Sequence, residues 1–94
     1  MEKEPLEIFR KRRDRLYILA EMLAIARDGS LKTQIMYRAN LSFAQLKEYL
    51  SYLLKGELLK RNTENGKTIY KTTAKGFKFL ENYEEISNLL RTPL

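Results

Sequence analysis

Apolar residues between Leu16 and Ala26 recur every three or four positions: Leu16, Leu19, Leu23 and Ala26, with Met22 beside them. That spacing marks one face of an α-helix. Arg27-Asp28-Gly29 stops it, a basic last turn followed by glycine where a left-handed cap belongs. Two starts are open. Asp14 can N-cap a helix beginning at Arg15, or Pro5 can sit in the first turn of a longer one. Ser30 is placed to N-cap a short second helix, about Leu31 to Arg38, with Ile35 and Met36 turned inward. Asn40 suits the turn that ends it. Ser42 then opens a third helix, with Gln45 three residues on as its capping-box partner. Leu46, Tyr49, Leu50 and Leu53 form its buried stripe, and Lys55-Gly56 closes it.

After Gly56 the period changes. Leu58 to Asn62 and Lys67 to Thr72 are short β-capable runs, and Asn65-Gly66 between them is a strong signal for a tight hairpin. The pattern predicts Leu59 and Ile69 inward, with Lys71 and either Lys60 or Arg61 outward. Thr72 or Thr73 caps a last helix from about Ala74 to Leu90, on which Phe77 and Leu80 can reach the core. The order helix-helix-helix-hairpin-helix predicts a mainly α fold with a small β-hairpin, a winged helix-turn-helix. Residues 1–14 then form a basic N-terminal extension, 15–72 the winged-helix core and 73–94 a C-terminal helix.

A chain of 94 residues is expected to form one domain. No apolar run approaches the roughly 20 residues that span a bilayer, and no signal-peptide pattern is visible at the N-terminus. A cytoplasmic, nucleoid-associated protein is the expectation. Cysteine and histidine are both absent. Without them disulfides, thiol nucleophiles, imidazole acid–base chemistry and nearly all zinc sites are excluded. The expectation is no enzyme, no metal, no cofactor and no evident small-molecule ligand.

Charge changes the picture more. The chain carries 18 Lys and Arg against 12 Asp and Glu. The excess is local: from Ser30 to Lys78 there are ten cations and three acids (10 − 3 = +7), while Glu81 to Leu94 holds one Arg and three Glu (1 − 3 = −2). A basic middle suits a polyanion. At 100° per residue, with Leu46 at the centre of the core face, the third helix turns Ala44, Gln45, Lys47, Glu48, Ser51, Tyr52 and Lys55 outward. Gln45 can pair with adenine, Lys47 with guanine or phosphate, and Ala44 lets the helix approach a thymine methyl. Ser42 belongs to the same helix end. Ser51, Tyr52 and Lys55 point to backbone contacts. Glu48 either reads a cytosine amino group or pairs with Lys47, Tyr52 or Lys55. The hairpin adds Lys60, Arg61, Asn62, Asn65 and Lys67, which suit a minor-groove wing or a charged edge that discourages aggregation. Lys32 and Arg38 on the second helix are backbone-contact candidates. Tyr37 either packs or offers its hydroxyl to phosphate.

Two features have competing explanations. The run Arg10-Lys11-Arg12-Arg13-Asp14-Arg15 can be an arm on DNA or a solubilising helix end near Glu81, Glu84 and Glu85. Phe79, Tyr83, Ile86 and Leu90 make a second apolar stripe at coiled-coil-like spacing. It predicts a homodimer through the last helix, or cover by Leu6, Ile8 and Phe9, or both together.

The stretch GSLKTQIMYRANLSFAQLKEYLSYLLKGELL, followed by IYKTTAKGFKFLENY, resembles the small basic winged-helix DNA-binding proteins of archaea, which include a chromatin-associated protein of Sulfolobus and related transcription regulators. The most specific part is KTQIMYRANLS, Lys32 to Ser42. The resemblance implies a winged helix that dimerises through its C-terminal helices and binds DNA with its third helix and wing. Three departures stand out: a short C-terminal helix, the extension Met1 to Asp14, and a wing, Asn62 to Lys67, that reads as longer. Double-stranded DNA is therefore the expected partner, for a transcriptional regulator or a chromatin-type protein. The rival reading is a winged-helix protein–protein adaptor. A lesser variant is single-strand binding on Tyr52 and Tyr70 as stacking platforms.

Overall fold

A computed structural model describes residues 14–91. Four helices and one hairpin follow in the order α1 (Arg15–Ile25), α2 (Lys32–Arg38), α3 (Phe43–Lys55), β1 (Leu59–Glu64), β2 (Lys67–Thr72) and α4 (Ala74–Arg91). This is the mainly helical winged-helix architecture that the alternation of periods predicts.

Asp14 starts α1: its carboxylate accepts from the Tyr17 N–H at 2.9 Å, satisfying one of the donors a helix start leaves unpaired. The alternative start at Pro5 lies outside the described residues. The inward face of α1 is Ile18, Leu19, Met22, Leu23 and Ala26, and Leu16 is half exposed at 50%. The buried stripe is thus rotated away from Leu16, because α1 must meet α2, β2 and α4 together and recruits Ile18 and Ala20 for the purpose.

Ser30 does not cap α2. Its backbone pairs with Tyr70 through two hydrogen bonds of 2.9 and 2.8 Å, and its hydroxyl donates to the Ile25 carbonyl. Leu31 takes the cap position, and Gln34 reaches back to accept from the Leu31 N–H. Pairing a strand edge satisfies both backbone groups of Ser30, which a cap would not. Helices α2 and α3 both end in Schellman turns. The residue after each C-cap, Asn40 (φ 56°) and Glu57 (φ 61°), is left-handed. Leu41 N–H bonds Met36 O, and Leu58 N–H bonds Leu53 O. The glycine at 56 is therefore the cap itself, in helical conformation, and Glu57 carries the left-handed turn. At the start of α3 the expected box is complete: the Ser42 hydroxyl accepts from Gln45 N–H and the Gln45 carboxamide oxygen accepts from Ser42 N–H.

The hairpin pairs Leu59 with Thr72, Lys60 with Lys71, Arg61 with Tyr70, Asn62 with Ile69, Thr63 with Thr68 and Glu64 with Lys67. Asn65 (φ 52°) and Gly66 (φ 76°) form the two-residue turn, as a hairpin with right-handed twist demands. β1 continues to Glu64, so the segment that reads as a long wing loop is paired strand. Residue parity follows: Leu59, Tyr70 and Thr72 are buried, while Ile69 lies on the opposite face, half-buried beside Gly29. Tyr70 rather than Ile69 is the inward residue, because Thr72 two residues on must reach the core.

Thr72 and Thr73 lock the sheet to the helices. The buried Thr72 hydroxyl donates to Leu23 O at 2.6 Å and its N–H to Ala26 O, taking two carbonyls at the end of α1. Thr73 caps α4 by accepting from Gly76 N–H, and its own hydroxyl donates to the Glu57 carbonyl. Gly76 is buried: a Cβ there would meet the Leu58 carbonyl and lie 2.6 Å from the Thr72 methyl. Helix α4 can cross the hairpin base only with hydrogen at that position. Leu80 is buried, whereas Phe77 remains 39% exposed, with the Arg27 guanidinium 6.0 Å above its ring. The core is one cluster built around Met22, Leu23, Ile35, Leu46, Leu53 and Leu59.

Candidate nucleic-acid interface

The core face of α3 is Leu46, Leu50 and Leu53. Everything a third of a turn away from that face is solvent-facing: Ser42, Ala44, Gln45, Lys47, Glu48, Ser51, Tyr52 and Lys55 are all exposed. The helix phase that the apolar stripe predicts is therefore the one adopted. Exposure on one side is a property of any surface helix, so what matters is which other elements bring charge to it.

Three elements do. A groove of about 370 Å³ runs between α3, the hairpin and the start of α2, lined by Lys47, Ser51 and Lys55 on α3, Arg61 on β1, and Lys32 on α2. Its floor is Phe43, Leu46, Leu50, Leu54 and Tyr70. Four cations from three separate segments meet there, and no acid is among the lining residues. Arg61 reaches the groove because it stands opposite Tyr70 on the inner face of the hairpin, while Lys60 stands opposite Lys71 on the outer face. The two residues that the sequence left interchangeable thus serve different sides of the wing. Asn62, Asn65 and Lys67 are exposed at the outer end of the hairpin, and Arg38 and Tyr37 are exposed at the end of α2. Tyr52 and Glu48 lie on the far flank of α3, where with Arg15, Tyr49, Ser51 and Lys55 they line a smaller hollow of about 240 Å³. Tyr70 is 7% exposed, so it presents no open stacking face.

Gln45 has a second duty. Its carboxamide oxygen is held 3.0 Å from Ser42 N–H. A bidentate contact to adenine uses both the oxygen and the nitrogen, so base reading by Gln45 competes with its capping role.

One residue at this surface was not singled out by sequence reasoning. Phe43, 64% exposed, lines the groove. A large apolar side chain directly after an N-cap, off the core stripe, was the available signal. Lys71, outward as expected, stands on the outer face of the hairpin, away from the groove. It faces Lys60 directly across the ladder, a like-charge pair that folding disfavours, visible only once the register is known.

On α4, Phe79 and Tyr83 are half-buried against their own core, while Ile86 and Leu89 are 52% and 75% exposed and Leu90 is half-buried. Burial raises the Tyr83 hydroxyl pKa above 10.0, with the Asp14 carboxylate and Tyr17 adding to the effect. The basic run Arg10 to Arg13 and the apolar Leu6, Ile8 and Phe9 lie outside the described residues. Among the described residues no cluster of three acids could hold a metal ion and no helix is long and apolar enough to cross a membrane.

Helix-turn-helix geometry with a hairpin beside the third helix defines a winged-helix protein. The chain belongs to the winged helix-turn-helix family, whose pattern it matches over residues 12–91. An uncharacterized protein of Methanocaldococcus jannaschii is 38% identical over 80 residues, covering 84% of this chain; the match spans only 36% of that longer relative. Among solved structures, Sso10a-2, a DNA-binding protein from Sulfolobus solfataricus, superposes with a TM-score of 0.67 at 26% identity, covering 86% of this chain and all of that one. MepR of S. aureus, solved as a DNA complex, has the same fold at 19% identity and a TM-score of 0.67, with 90% of this chain and 64% of MepR covered.

Proposed function

We propose that this chain binds double-stranded DNA as a homodimer and acts as a transcriptional regulator or chromatin-type protein. One observation carries the reading: Lys32, Lys47, Lys55 and Arg61 converge from three elements on one side of α3, in a lining that holds no acid. Phosphate is the group such a surface takes, and α3 is the element of a size to enter a major groove about 12 Å wide. Lys60 and Lys67 add positive charge along the wing, with Asn65 a polar group at its tip, and Arg38 adds charge along α2. Ser42, Ala44 and Gln45 stand at the leading end of α3, where base edges are read, while Ser51 and Tyr52 suit the backbone further along. The Sulfolobus neighbour, a DNA-binding protein by its description, supports the same reading.

Self-association rests on α4. Ile86 and Leu89 stay exposed on a helix whose Phe79, Leu80 and Tyr83 serve the monomer's core, and apolar side chains left open in that way are stabilised by cover. A two-fold dimer would present two copies of α3 to successive turns of a duplex. The test has two arms. A labelled pool of random-sequence duplexes is titrated at low and high salt, and sedimentation equilibrium is run on the parent and on Ile86→Glu/Leu89→Glu. Duplex binding that weakens steeply with salt and a dimer lost in the variant are expected. No duplex shift at low salt, with a protein partner recovered instead, would favour the adaptor reading and refute this one.

A further inference from the structure

Granted the DNA reading above, we infer that Phe43 makes this chain read thymine methyl groups, so that its sequence preference comes from apolar contact in the major groove and not from hydrogen bonds to base edges. Phe43 is the first residue of α3. Cα–Cβ bonds in a helix tilt toward its N-terminus, so the ring overhangs the end of α3 that leads into the duplex. It is 64% exposed and belongs neither to the hydrophobic core nor to the residues packed against that core. A single exposed phenylalanine means little on its own; what surrounds it decides its role. The polar groups at the same end are engaged with each other. The Ser42 hydroxyl accepts from Gln45 N–H at 3.1 Å, and the Gln45 carboxamide oxygen accepts from Ser42 N–H at 3.0 Å. Reading adenine with Gln45 means breaking that cap. Ala44, also exposed, has no hydrogen-bonding side chain. Lys47 stands one turn on from Phe43, lines the same groove of the protein, and is a cation suited to phosphate. The leading end of α3 therefore offers a base edge a phenyl ring and a methyl group. Among the DNA bases only thymine presents an apolar group in the major groove, its C5 methyl.

The test compares one A·T-rich duplex of about 20 base pairs, two helical turns, made either with thymine or with uracil, which lacks only that methyl. Dissociation constants are read by fluorescence anisotropy at low salt. Burying one methyl is worth about fourfold in affinity. A dimer with one such contact in each half-site should therefore bind the thymine duplex about fifteenfold more tightly than the uracil duplex. Phe43→Ala is expected to cut that ratio to at most about twofold, by weakening the thymine duplex and sparing the uracil duplex, which has no methyl for the ring to cover. Phe43 lies outside the core, so the variant keeps the fold; a thermal melt checks this, and the comparison of the two duplexes on the parent chain needs no variant. Gln45→Ala is expected to lower the melting temperature through loss of the cap and to leave the ratio unchanged. Equal binding of both duplexes by the parent, a ratio that survives Phe43→Ala, or a ratio that collapses in Gln45→Ala would each overturn the proposal while leaving DNA binding intact. No binding of either duplex at low salt would refute the DNA reading itself, and the role of Phe43 with it.

Discussion

Removing Lys47 and Arg61 together should halve the salt dependence of duplex binding. Each phosphate neutralised by a cation contributes about −0.9 to the slope of log K against log salt. Four cations ring the groove, so a single chain engaging one phosphate with each has a slope of about −3.6, and a dimer about −7. Over a rise from about 50 to 200 mM salt, that is roughly a 150-fold loss of affinity for one chain and on the order of 10⁴-fold for two. Lys47→Ala/Arg61→Ala leaves two of the four. The dimer's slope falls to about −3.6 and its loss over the same interval to roughly 150-fold. Both side chains are exposed, so folding stability should change by less than about 0.5 kcal/mol per site, and a thermal melt separates a binding defect from an unfolded sample. Fluorescence anisotropy of a labelled duplex at four or more salt concentrations reads the slope. A folded variant with the parent's slope would show that these two cations touch no phosphate, and the assignment of the groove edge to DNA would fail.

Three further outcomes follow from the packing. Gly76→Val should destabilise by about 1–3 kcal/mol or more, since even a Cβ there meets the Leu58 carbonyl and the Thr72 methyl; an unchanged denaturant midpoint would mean α4 crosses the hairpin base elsewhere. Lys71→Glu should stabilise the hairpin by about 0.2–1 kcal/mol, because it turns the Lys60–Lys71 opposition into an opposite-charge pair, while weakening duplex binding; a loss of stability would place the register in error. Tyr83 has its hydroxyl pKa raised above 10.0 by burial. The unfolded chain therefore releases this proton first as pH rises, and the stability it contributes is full below pH 10 and is lost as pH climbs through the folded value. Tyr83→Phe should flatten that alkaline decline in melting temperature; an equally steep decline in the variant would locate the titrating group elsewhere.

The helices were legible because each is specified locally. The Ser42–Gln45 box, the apolar stripe of α3 and the Asn65-Gly66 turn all involve residues within one or two turns of each other in the chain, and such interactions form in the same way whatever the rest of the molecule does. The winged-helix order, the exposed face of α3 and the basic middle segment came from that level. Misplaced details have a common cause. Ser30 has the chemistry of an N-cap, yet Tyr70, forty residues away in the chain, takes its backbone into a strand pair. Leu16 has the spacing of a core residue, yet α1 is rotated by what it must contact on three sides. Ile69 and Tyr70 are equally apolar to the eye, and only the pinning of Thr72 to the end of α1 sets which of them faces in.

Sequence alone determined the elements, their order and the sign of the surface, since periodicity, capping and charge are properties of neighbouring residues. Tertiary structure decided the register of the hairpin, and with it that Arg61 and not Lys60 joins Lys47, Lys55 and Lys32. It also created the groove, whose aromatic floor and cationic rim come from α2, α3 and both strands. A concavity has no sequence signature, because it exists only where separate segments fail to touch.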